Sequence, residues 1–459
     1  MSTPPRRWTE LPPELLAVIS GRLHDATDFV RFHAVCVSWR ESLPPQTTVL
    51  RPLLFPWLVA RPSCRRVGLR CVFSKTSYHA EVHPSFHELG WVAKADGTAY
   101  WFFSHGAPNN NKLVDPLTGD ATPLPPFLQF DDKWNIADKS HGVATVFLYS
   151  FCKPEDDPEQ GTAYTAIRAA ILSPGDTAWT VVQRGLRIGR NNLRFENNHD
   201  EENHCFAAYH DGKILVCVNG DTRNDIWYLL AGSIDTAIVE NDEMCATSWR
   251  LVSSHILESR GELLRLSVLL RWPNHRISVH RRHSNETQAP ALTVRVHALV
   301  EDAGVGGRRT RRWARRDGLS FTDRVMFLGF PSSFIVDAAR FGGGEDDVIG
   351  GCVYFFLRWS RVYGLSISSS TGVFRHNLID NKTKFIEYLP LNWRGSQNGA
   401  GMWLVPGPPI AQVQRRSIWG FWRTEESSVE AKTEMTWPAA ASPAQARMRV
   451  NQLGGGAAA

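Results

Sequence analysis

Short β-type segments separated by turn residues fill most of this 459-residue chain, and they limit its possible folds more than any other feature. Each segment is rich in Val, Leu, Ile, Phe, Tyr or Trp, and Gly, Pro, Asp or Asn residues lie between the segments. Helix-length periodic segments are scarce over the same region. The clearest segments are 69–73, 90–94, 99–103, 142–151, 165–172, 213–218, 263–270, 292–299, 325–328 and 352–357. This pattern predicts an all-β domain over residues 51–406.

Large aromatic residues recur in this region at strand starts. The chain has 17 Trp, and Trp179, Trp249 and Trp313 each open a strand-like segment. Many short strands with recurrent Trp favour a β-propeller, whose blades run about 40 to 50 residues each. The Trp spacing is irregular, so a pair of β-sandwiches stays open as the alternative architecture.

The first 45 residues show helical periodicity instead. Pro13 stands where a first helical turn tolerates proline. Apolar residues then recur at helical spacing in two stripes, one formed by Leu15, Leu16, Ile19 and Leu23, the other by Phe32, Val35, Cys36 and Trp39. A helical bundle of fewer than 45 residues buries too little apolar surface to be stable by itself. We therefore expect a small all-α module whose apolar face packs against a partner or against the rest of the chain.

The composition changes again after about residue 406. It becomes polar and then rich in Ala and Gly, which predicts a disordered tail over residues 407–459. Four aromatic residues are unusual in such a segment, and the sequence offers no physical account of them: Trp419, Phe421, Trp422 and Trp437.

Charge and composition exclude several functional classes. Lys plus Arg number 51 and Asp plus Glu number 46, so the net charge of +5 argues against polyanion binding through bulk charge. The N-terminus lacks the apolar run of a secretory signal, and no apolar run approaches the length of a membrane span. We therefore expect a cytoplasmic or nuclear protein with no membrane partner. The eight Cys are scattered without a CxxC pair, which favours buried free thiols over zinc ligands or disulfides.

No motif points to catalysis or to a cofactor. The chain has no GxSxG elbow, no GxxxxGK[ST] phosphate loop and no GxGxxG turn. His199 and His204 flank acidic residues, but they are five positions apart and would diverge on a helix. We expect no catalytic residue, no metal and no cofactor.

Residues 308–316 are the most charged stretch of the chain, with six Arg in nine residues. Such a run is compatible with phosphate binding or with a nuclear import signal. Because an unpaired buried guanidinium is costly, we expect an exposed loop or edge hairpin with Trp313 alone turned inward. Aromatic residues do not recur at regular spacing around it, so nucleic acid is not an expected partner.

The N-terminal segment resembles an F-box, the helical module that docks substrate receptors on a Skp-type adaptor. The matching residues are Leu11-Pro12-Pro13-Glu14-Leu15-Leu16, then Asp28, Arg31-Phe32, Val35-Cys36 and Trp39-Arg40. The remainder resembles a plant family in which an F-box precedes a kelch-like β-propeller. Its matching pieces are Leu113-Val114-Asp115-Pro116-Leu117-Thr118-Gly119 with Leu124-Pro125-Pro126-Phe127, Tyr209-His210-Asp211-Gly212-Lys213, Leu257-Glu258-Ser259-Arg260-Gly261-Glu262-Leu263-Leu264, Val325-Met326-Phe327-Leu328-Gly329, and Cys352-Val353-Tyr354-Phe355 with Gly372-Val373-Phe374.

This resemblance implies a non-catalytic substrate receptor of a Skp-cullin-F-box ubiquitin ligase. It implies an F-box at residues 8–45, a propeller at residues 51–406 and a target protein held by the propeller. The residues it assigns to the adaptor are Leu11, Pro12, Leu15, Leu16, Val35, Cys36 and Trp39. Two alternatives stay open: a propeller that binds a small ligand or carbohydrate, with the F-box serving turnover, and an enzyme with a site on the propeller.

Overall fold

The computed structural model describes the chain in segments. These are residues 11–23, 25, 28–29, 31–32, 35–36, 39, 54–60, 66–81, 90–93, 99–103, 112–114, 121–126, 135–140, 144–151, 155–156, 163–172, 175–188, 205–210, 213–218, 226–230, 233–237, 249–271, 289–303, 309–329, 333–341, 348–358, 371–389, 401–406 and 421–423.

The N-terminal segment contains one α-helix with defined bounds, α1 (Pro13–Gly21). Pro13 is tolerated because the amides of a first helical turn have no acceptor within the helix. The amides of Leu15 and Leu16 donate to the carbonyl of Pro12 at 3.0 and 3.1 Å. Residues 28–29, 31–32 and 39 are also helical. The sequence predicted a separate all-α module, but such a module is not evident in the described part of this segment. Among the described residues, no helix is long and apolar enough to cross a membrane.

The rest of the described chain is mostly β-strand, in six sheets. Sheet 1 contains β1 (Trp57–Ala60), β2 (Arg66–Cys71), β3 (Thr76–Glu81), β26 (Gly401–Leu404) and β27 (Phe421–Arg423), in the order β26-β1-β2-β3-β27. Sheet 2 contains β4 (Gly90–Ala93), β5 (Ala99–Phe103), β6 (Lys112–Val114) and β7 (Ala121–Pro123). Sheet 3 contains β8 (Asn135–Ser140), β9 (Ala144–Phe151), β10 (Glu155–Asp156), β11 (Ala163–Leu172) and β12 (Thr180–Ile188).

The second half of the strands forms the other three sheets. Sheet 4 contains β13 (Cys205–His210), β14 (Lys213–Val218), β15 (Ile226–Leu230) and β16 (Ser233–Ala237). Sheet 5 contains β17 (Trp249–Ser259), β18 (Glu262–Arg271), β19 (Leu292–Ala303) and β20 (Arg309–Arg315). Sheet 6 contains β21 (Arg324–Leu328), β22 (Phe334–Asp337), β23 (Cys352–Arg358), β24 (Thr371–Asn377) and β25 (Lys382–Tyr388), in the order β22-β21-β23-β24-β25.

Sheets 2, 4 and 5 are antiparallel meanders in which each strand pairs with the next along the chain. First strands of successive sheets also contact one another: β4 contacts β8, β8 contacts β13, and β13 contacts β17. Four-stranded meanders that pack in chain order around their first strands are typical of propeller blades. Each strand-like segment predicted from the sequence falls on one of these strands, so the prediction of an all-β domain is confirmed.

Sheet 6 departs from a simple meander. Its strand β21 pairs antiparallel with β22 but parallel with β23, with Phe327 opposite Tyr354. The short β22 therefore lies at the end of the strand order, where it contacts β17 of sheet 5. A parallel pair needs a crossover instead of a tight turn. In this sheet the crossover includes β22 and a 3-10 helix over Ala338–Phe341.

Sheet 1 joins distant parts of the chain. Its strand β26 pairs with β1, with Leu58 opposite Trp403. On the other side of the sheet, β27 pairs with β3, with Trp422 opposite His79. The strand β27 lies inside the range predicted as a disordered tail, so those three residues belong to a sheet, while the extent of the tail beyond Arg423 lies outside the described residues.

The two hydrophobic clusters of the described chain lie on either side of sheet 6. One joins sheet 6 to sheet 5 and includes Leu266, Val294 and Phe374. The other joins sheet 6 to sheet 1 and includes Phe327 and Trp403, whose ring centroids are 5.2 Å apart. All five residues of β21 are buried, as expected for a strand packed on both faces.

Candidate docking surface

Helix α1 exposes aliphatic side chains on one face and buries the neighbouring face. Leu15 and Val18 are 51% and 52% exposed, and Ile19 is also exposed. These residues lie three and four positions apart, so they are neighbours on the helix surface. Leu16, by contrast, is 1% exposed, and Ser20 is buried beside it. Leu16 and Ser20 are therefore turned inward, while Leu15, Val18 and Ile19 face solvent.

A second apolar position lies further along the N-terminal segment. Val35 is 56% exposed, whereas Phe29 and Phe32 are buried. The ring of Trp39 packs against Phe32, with 4.5 Å between centroids. Phe29 and Phe32 thus stabilise this segment from the inside, and Val35 is available outside.

The docking surface, which we define as Leu11, Pro12, Leu15, Val18, Ile19 and Val35, differs in part from the set predicted from the sequence. Of the predicted residues, Pro12, Leu15 and Val35 are exposed, and Leu11, Cys36 and Trp39 are half-buried. Leu16 is buried and supports the helix from within. Val18 was absent from the predicted set, although its position three residues after Leu15 is the signal that places it on the same face.

The chemistry of this surface suits binding. Leu15, Val18, Ile19 and Val35 offer aliphatic area, and exposed aliphatic clusters are typical of protein-binding sites. Among the described residues no group of three or more His, Cys, Asp or Glu is placed to hold a metal ion. The His199 and His204 pair considered above lies outside the described residues.

Three aromatic residues of sheets 1 and 6, Phe327, Tyr354 and Trp403, belong to the core. Tyr354 and Trp403 are almost completely buried, and Phe327 packs against both rings. Burial raises the pKa of the Tyr354 hydroxyl to about 12, so it stays neutral at physiological pH. These three rings therefore give no support to the alternative of a small-ligand or carbohydrate site.

Buried thiols account for two of the cysteines. Cys71 and Cys352 are buried and are not in disulfides. Burial raises the pKa of the Cys71 thiol to about 11 and also raises the pKa of Cys352. Both thiols are protonated and inert near neutral pH, which confirms the prediction of buried free thiols at these two positions.

The arginine-rich stretch 308–316 takes the form predicted for it where it is described. It supplies β20, the last strand in the order of sheet 5. Trp313 is buried, while Arg312 and Arg315 are exposed. The expectation of an edge hairpin with Trp313 turned inward is confirmed.

Comparisons with known proteins identify the β-propeller and a partial similarity to F-box proteins. The family model described as KIB1-4 beta-propeller matches residues 63–375. One F-box protein of Arabidopsis thaliana is 46% identical over 63 residues, which are 14% of this chain and 17% of the relative. A second Arabidopsis thaliana F-box protein is 28% identical over 100 residues, which are 19% of this chain and 24% of the relative. The matches therefore span less than a quarter of either relative's length.

Solved structures give only distant similarity. A beta-fructofuranosidase of Bombyx mori has a TM-score of 0.25 at 11% identity, over 66% of this chain and 61% of that chain. The WD40 domain of SCAP from fission yeast also has a TM-score of 0.25, at 8% identity, over 74% of this chain and 87% of that chain. Similarity at this level carries no argument about activity.

Proposed function

Because the chain belongs to the KIB1-4 beta-propeller family, we propose that it is the substrate-recognition subunit of a Skp-cullin-F-box ubiquitin ligase. In this proposal residues 8–45 dock on a Skp-type adaptor and through it on a cullin, and residues 51–406 hold a target protein. Residues 407–459 follow both units, and within them Phe421–Arg423 return to sheet 1 as β27. Kelch-like blades and a cytoplasmic or nuclear location belong to the same proposal.

The observation that carries this proposal is the exposed aliphatic face of α1. An exposed cluster of Leu15, Val18 and Ile19 costs solubility unless a partner covers it. Burial of Leu16 on the adjacent face fixes the helix, so its outer face is presented as a preformed surface. Sequence similarity to two F-box proteins supports an adaptor as the partner.

The physical mechanism is proximity. A receptor that binds the adaptor at one site and the target at another holds the target near the ubiquitin-charged enzyme, which raises the effective concentration of the reacting groups. The transfer chemistry belongs to other subunits, and this chain supplies two binding surfaces.

Substitutions on α1 test the proposal. We expect the Leu11→Ala, Pro12→Ala, Leu15→Ala triple variant to lose co-purification with a Skp-type adaptor, because it removes apolar area from the docking surface. Its thermal melting should change little, since Leu15 and Pro12 are exposed. The measurement is capture of recombinant adaptor on the immobilised chain.

Leu319→Ala is the matched control, because Leu319 is a 61% exposed leucine outside α1. It should capture adaptor as well as the unchanged chain does. Undiminished capture by the triple variant, or equal loss in the Leu319→Ala control, would contradict the docking role of α1.

A further inference from the structure

Three connections between strands meet at one end of sheet 6. They are residues 316–323 between β20 and β21, residues 348–351 before β23, and residues 378–381 between β24 and β25. Gly351 donates its amide to the carbonyl of Arg324 at 2.8 Å, and Leu378 donates its amide to the carbonyl of Gly351 at 2.9 Å. A side chain at Gly318 would collide with the carbonyl of Leu378. The three connections therefore pack backbone against backbone and form one surface.

Each of these connections exposes one large aliphatic side chain. The three side chains belong to Leu319, Ile349 and Ile379, which are 61%, 37% and 48% exposed. Ile379 also lies against Gly351 of the neighbouring connection. Outside the N-terminal segment, the described residues include only two other large hydrophobic side chains that are exposed, Val181 and Tyr388. The exposed aliphatic area of the described sheets is therefore concentrated here, and we call Leu319, Ile349 and Ile379 the apolar platform.

Leu319 is held in place by the residues around it. The 3-10 helix that carries it is anchored by Phe321, which is fully buried. The guanidinium of Arg324 lies 4.7 Å from the centroid of the Phe321 ring and donates to the carbonyl of Ser320 at 2.6 Å. At the start of this helix, the carboxylate of Asp317 accepts the amide of Leu319 at 3.3 Å. Leu319 is therefore presented in a fixed position, which lowers the entropy cost of binding.

The chain around the platform is acidic. Residues 316–323, 337–351 and 378–382 carry seven Asp or Glu and three Lys or Arg, a net charge of −4 in a chain whose net charge is +5. In the sequence, an aspartate stands within two positions of each platform residue: Asp317 before Leu319, Asp347 before Ile349 and Asp380 after Ile379. Asp317 and Asp380 are exposed, and each accepts a backbone amide through Oδ1. The platform therefore combines aliphatic area with negative charge.

Cations in the adjoining elements offset only part of this charge. Arg260 and Glu262, where β17 turns into β18, cancel each other in the count. Arg260 pairs with two carboxylates of the acidic connections, Asp323 and Asp337, at 2.7 Å. Arg324, at the start of β21, is buried and adds one positive charge, so the net charge becomes −3. A second copy of this chain would present the same negative surface and would be repelled.

We propose that the apolar platform binds the target protein through a segment in which aliphatic residues stand among lysines or arginines. This inference deepens the proposed function and rests on it, because it names the chemistry of the target that the receptor would hold. The aliphatic side chains of that segment cover Leu319, Ile349 and Ile379. Its cations pair with Asp317 and Asp380 at the border of the platform, where charge sets specificity more than affinity.

Selection from a random peptide library displayed on phage tests the proposal. The full chain and its Leu319→Ser, Ile379→Ser double variant are the two baits, and sequencing counts the peptides that each retains. We expect a set of peptides that the double variant retains at least about tenfold less, because it lacks the apolar area that they cover. These platform-dependent peptides should be enriched in Lys or Arg, and in Leu, Ile or Val, relative to the library. The melting temperature of the double variant should change little, since both side chains are exposed.

Val181→Ser is the matched control, because Val181 is a 42% exposed aliphatic residue on β12 of sheet 3. It should retain the platform-dependent peptides as well as the unchanged chain does. Equal loss in this control, or a selection without any platform-dependent peptide, would mean that the proposal is wrong. Platform-dependent peptides enriched in Asp or Glu, or without any bias in charge, would overturn it as well.

Asparagine substitutions separate the charge of this surface from its shape. The Asp317→Asn, Asp380→Asn double variant keeps side-chain oxygens that can accept the amides of Leu319 and Lys382, so both turns keep their hydrogen bonds. We expect it to bind a selected peptide about fivefold more weakly than the unchanged chain at low salt, with the difference shrinking at high salt. Lys382→Gln removes a cation from the same turn and should not weaken binding. Equal affinity of the asparagine variant and the unchanged chain would overturn the proposal, even if the serine variant proves unstable.

Adaptor capture, measured on the same preparations, reports separately on the docking surface of α1. Every platform variant should capture the adaptor as the unchanged chain does. Normal adaptor capture without platform-dependent peptides would overturn this inference and leave the adaptor role intact. Platform-dependent peptides without adaptor capture by the unchanged chain would instead overturn the role in a ubiquitin ligase.

Discussion

His376 is a fully buried histidine whose tautomer follows from its neighbours. The hydroxyl of Thr383 donates to the carbonyl of Leu292 at 2.7 Å, so it has only a lone pair to offer to the Nδ1 atom of His376 at 2.8 Å. Nδ1 must therefore carry the proton. The Nε2 atom is buried without a hydrogen-bond partner, so it is the position that acid would protonate.

This arrangement predicts a loss of stability in mild acid. Burial lowers the pKa of His376 to about 4, and burial is also the main cause of values of about 4 for His255 and His297. Since an unfolded histidine titrates near pH 6.5, the unfolded chain binds more protons between pH 6.5 and 4. The free energy of unfolding should be nearly constant above pH 7 and fall by up to about 1.4 kcal/mol per pH unit per histidine below 6.5.

Urea unfolding at pH 8, 7, 6 and 5 measures this dependence. The His376→Leu variant should start from a lower stability, because it loses the hydrogen bond to Thr383, but it should show a shallower decline with pH. A decline of unchanged slope in that variant would mean that His376 does not contribute.

At the scale of elements, the strands of sheets 5 and 6 show what the sequence can and cannot predict. Alternation and apolar runs were sufficient to predict β18, β19, β21 and β23, and alternation also predicted that Trp313 points inward. The parallel pairing of β21 with β23 was not predictable, because it depends on a crossover and not on any pattern within a strand. Likewise, the stripe of Leu15, Leu16 and Ile19 could not show that Leu16 faces the protein, since a helical stripe does not distinguish its own core from a partner.

Sheets 1 and 6 are also joined by a buried ion pair. Arg70 of β2 donates through Nε and Nη2 to the two carboxylate oxygens of Glu387 on β25, at 3.1 and 3.0 Å. The side chains are 8% and 12% exposed, and Arg70 also donates to Ser77 at 2.8 Å. Glu387 also pairs with the exposed Lys75 at 3.2 Å, so removal of Arg70 leaves it that one partner, whereas removal of Glu387 takes the carboxylate from a buried guanidinium.

We therefore expect Glu387→Leu alone to lower the free energy of unfolding by about 3–5 kcal/mol, and Arg70→Met to lower it less, because Lys75 still pairs with Glu387. The double variant should cost much less than the sum, because it removes both buried charges. Chemical denaturation of the four chains completes the cycle. Additive losses would show that the two residues act independently.

Arg260 provides a control for this ion pair. It donates to Asp323 and Asp337 at 2.7 Å, but all three side chains are more than half exposed. Because solvent screens such pairs, Arg260→Met should change stability far less than Arg70→Met does.

At the scale of the whole molecule, the sheets depend on a strand from near the end of the chain. Strand β26 pairs with β1, and Trp403 within it is fully buried and donates its indole N–H to the carbonyl of Leu328 at 3.1 Å. Trp403 thus contributes to sheet 1 and packs on sheet 6 at the same time. Sheet 1 therefore has no complete core until β26 is present.

A truncation series tests this dependence on β26. Chains that end at residue 423 or 406 retain β26, and we expect both to melt cooperatively, the second at a slightly lower temperature because it lacks β27. A chain that ends at residue 400 loses β26 and should show no cooperative transition and greater exposure to protease. Cooperative melting of the shortest chain would contradict the role of β26. The measurements are thermal melting by circular dichroism and limited proteolysis.

Pairing of β1 with β26 also has a genetic consequence. Val59 and Met402 lie opposite each other, and they are separated by 402 minus 59, or 343, positions in the chain. At about 5–20 residues per second, a ribosome needs roughly 17 to 70 s to pass from one to the other. Throughout that interval α1 and β1 have been synthesised but β26 has not, so sheet 1 is incomplete. A nonsense allele that stops translation before residue 401 would leave a product that keeps α1 and lacks β26. Under the proposed function, such a product, if it escapes degradation, would compete for the adaptor without holding a target and should behave as a dominant-negative allele.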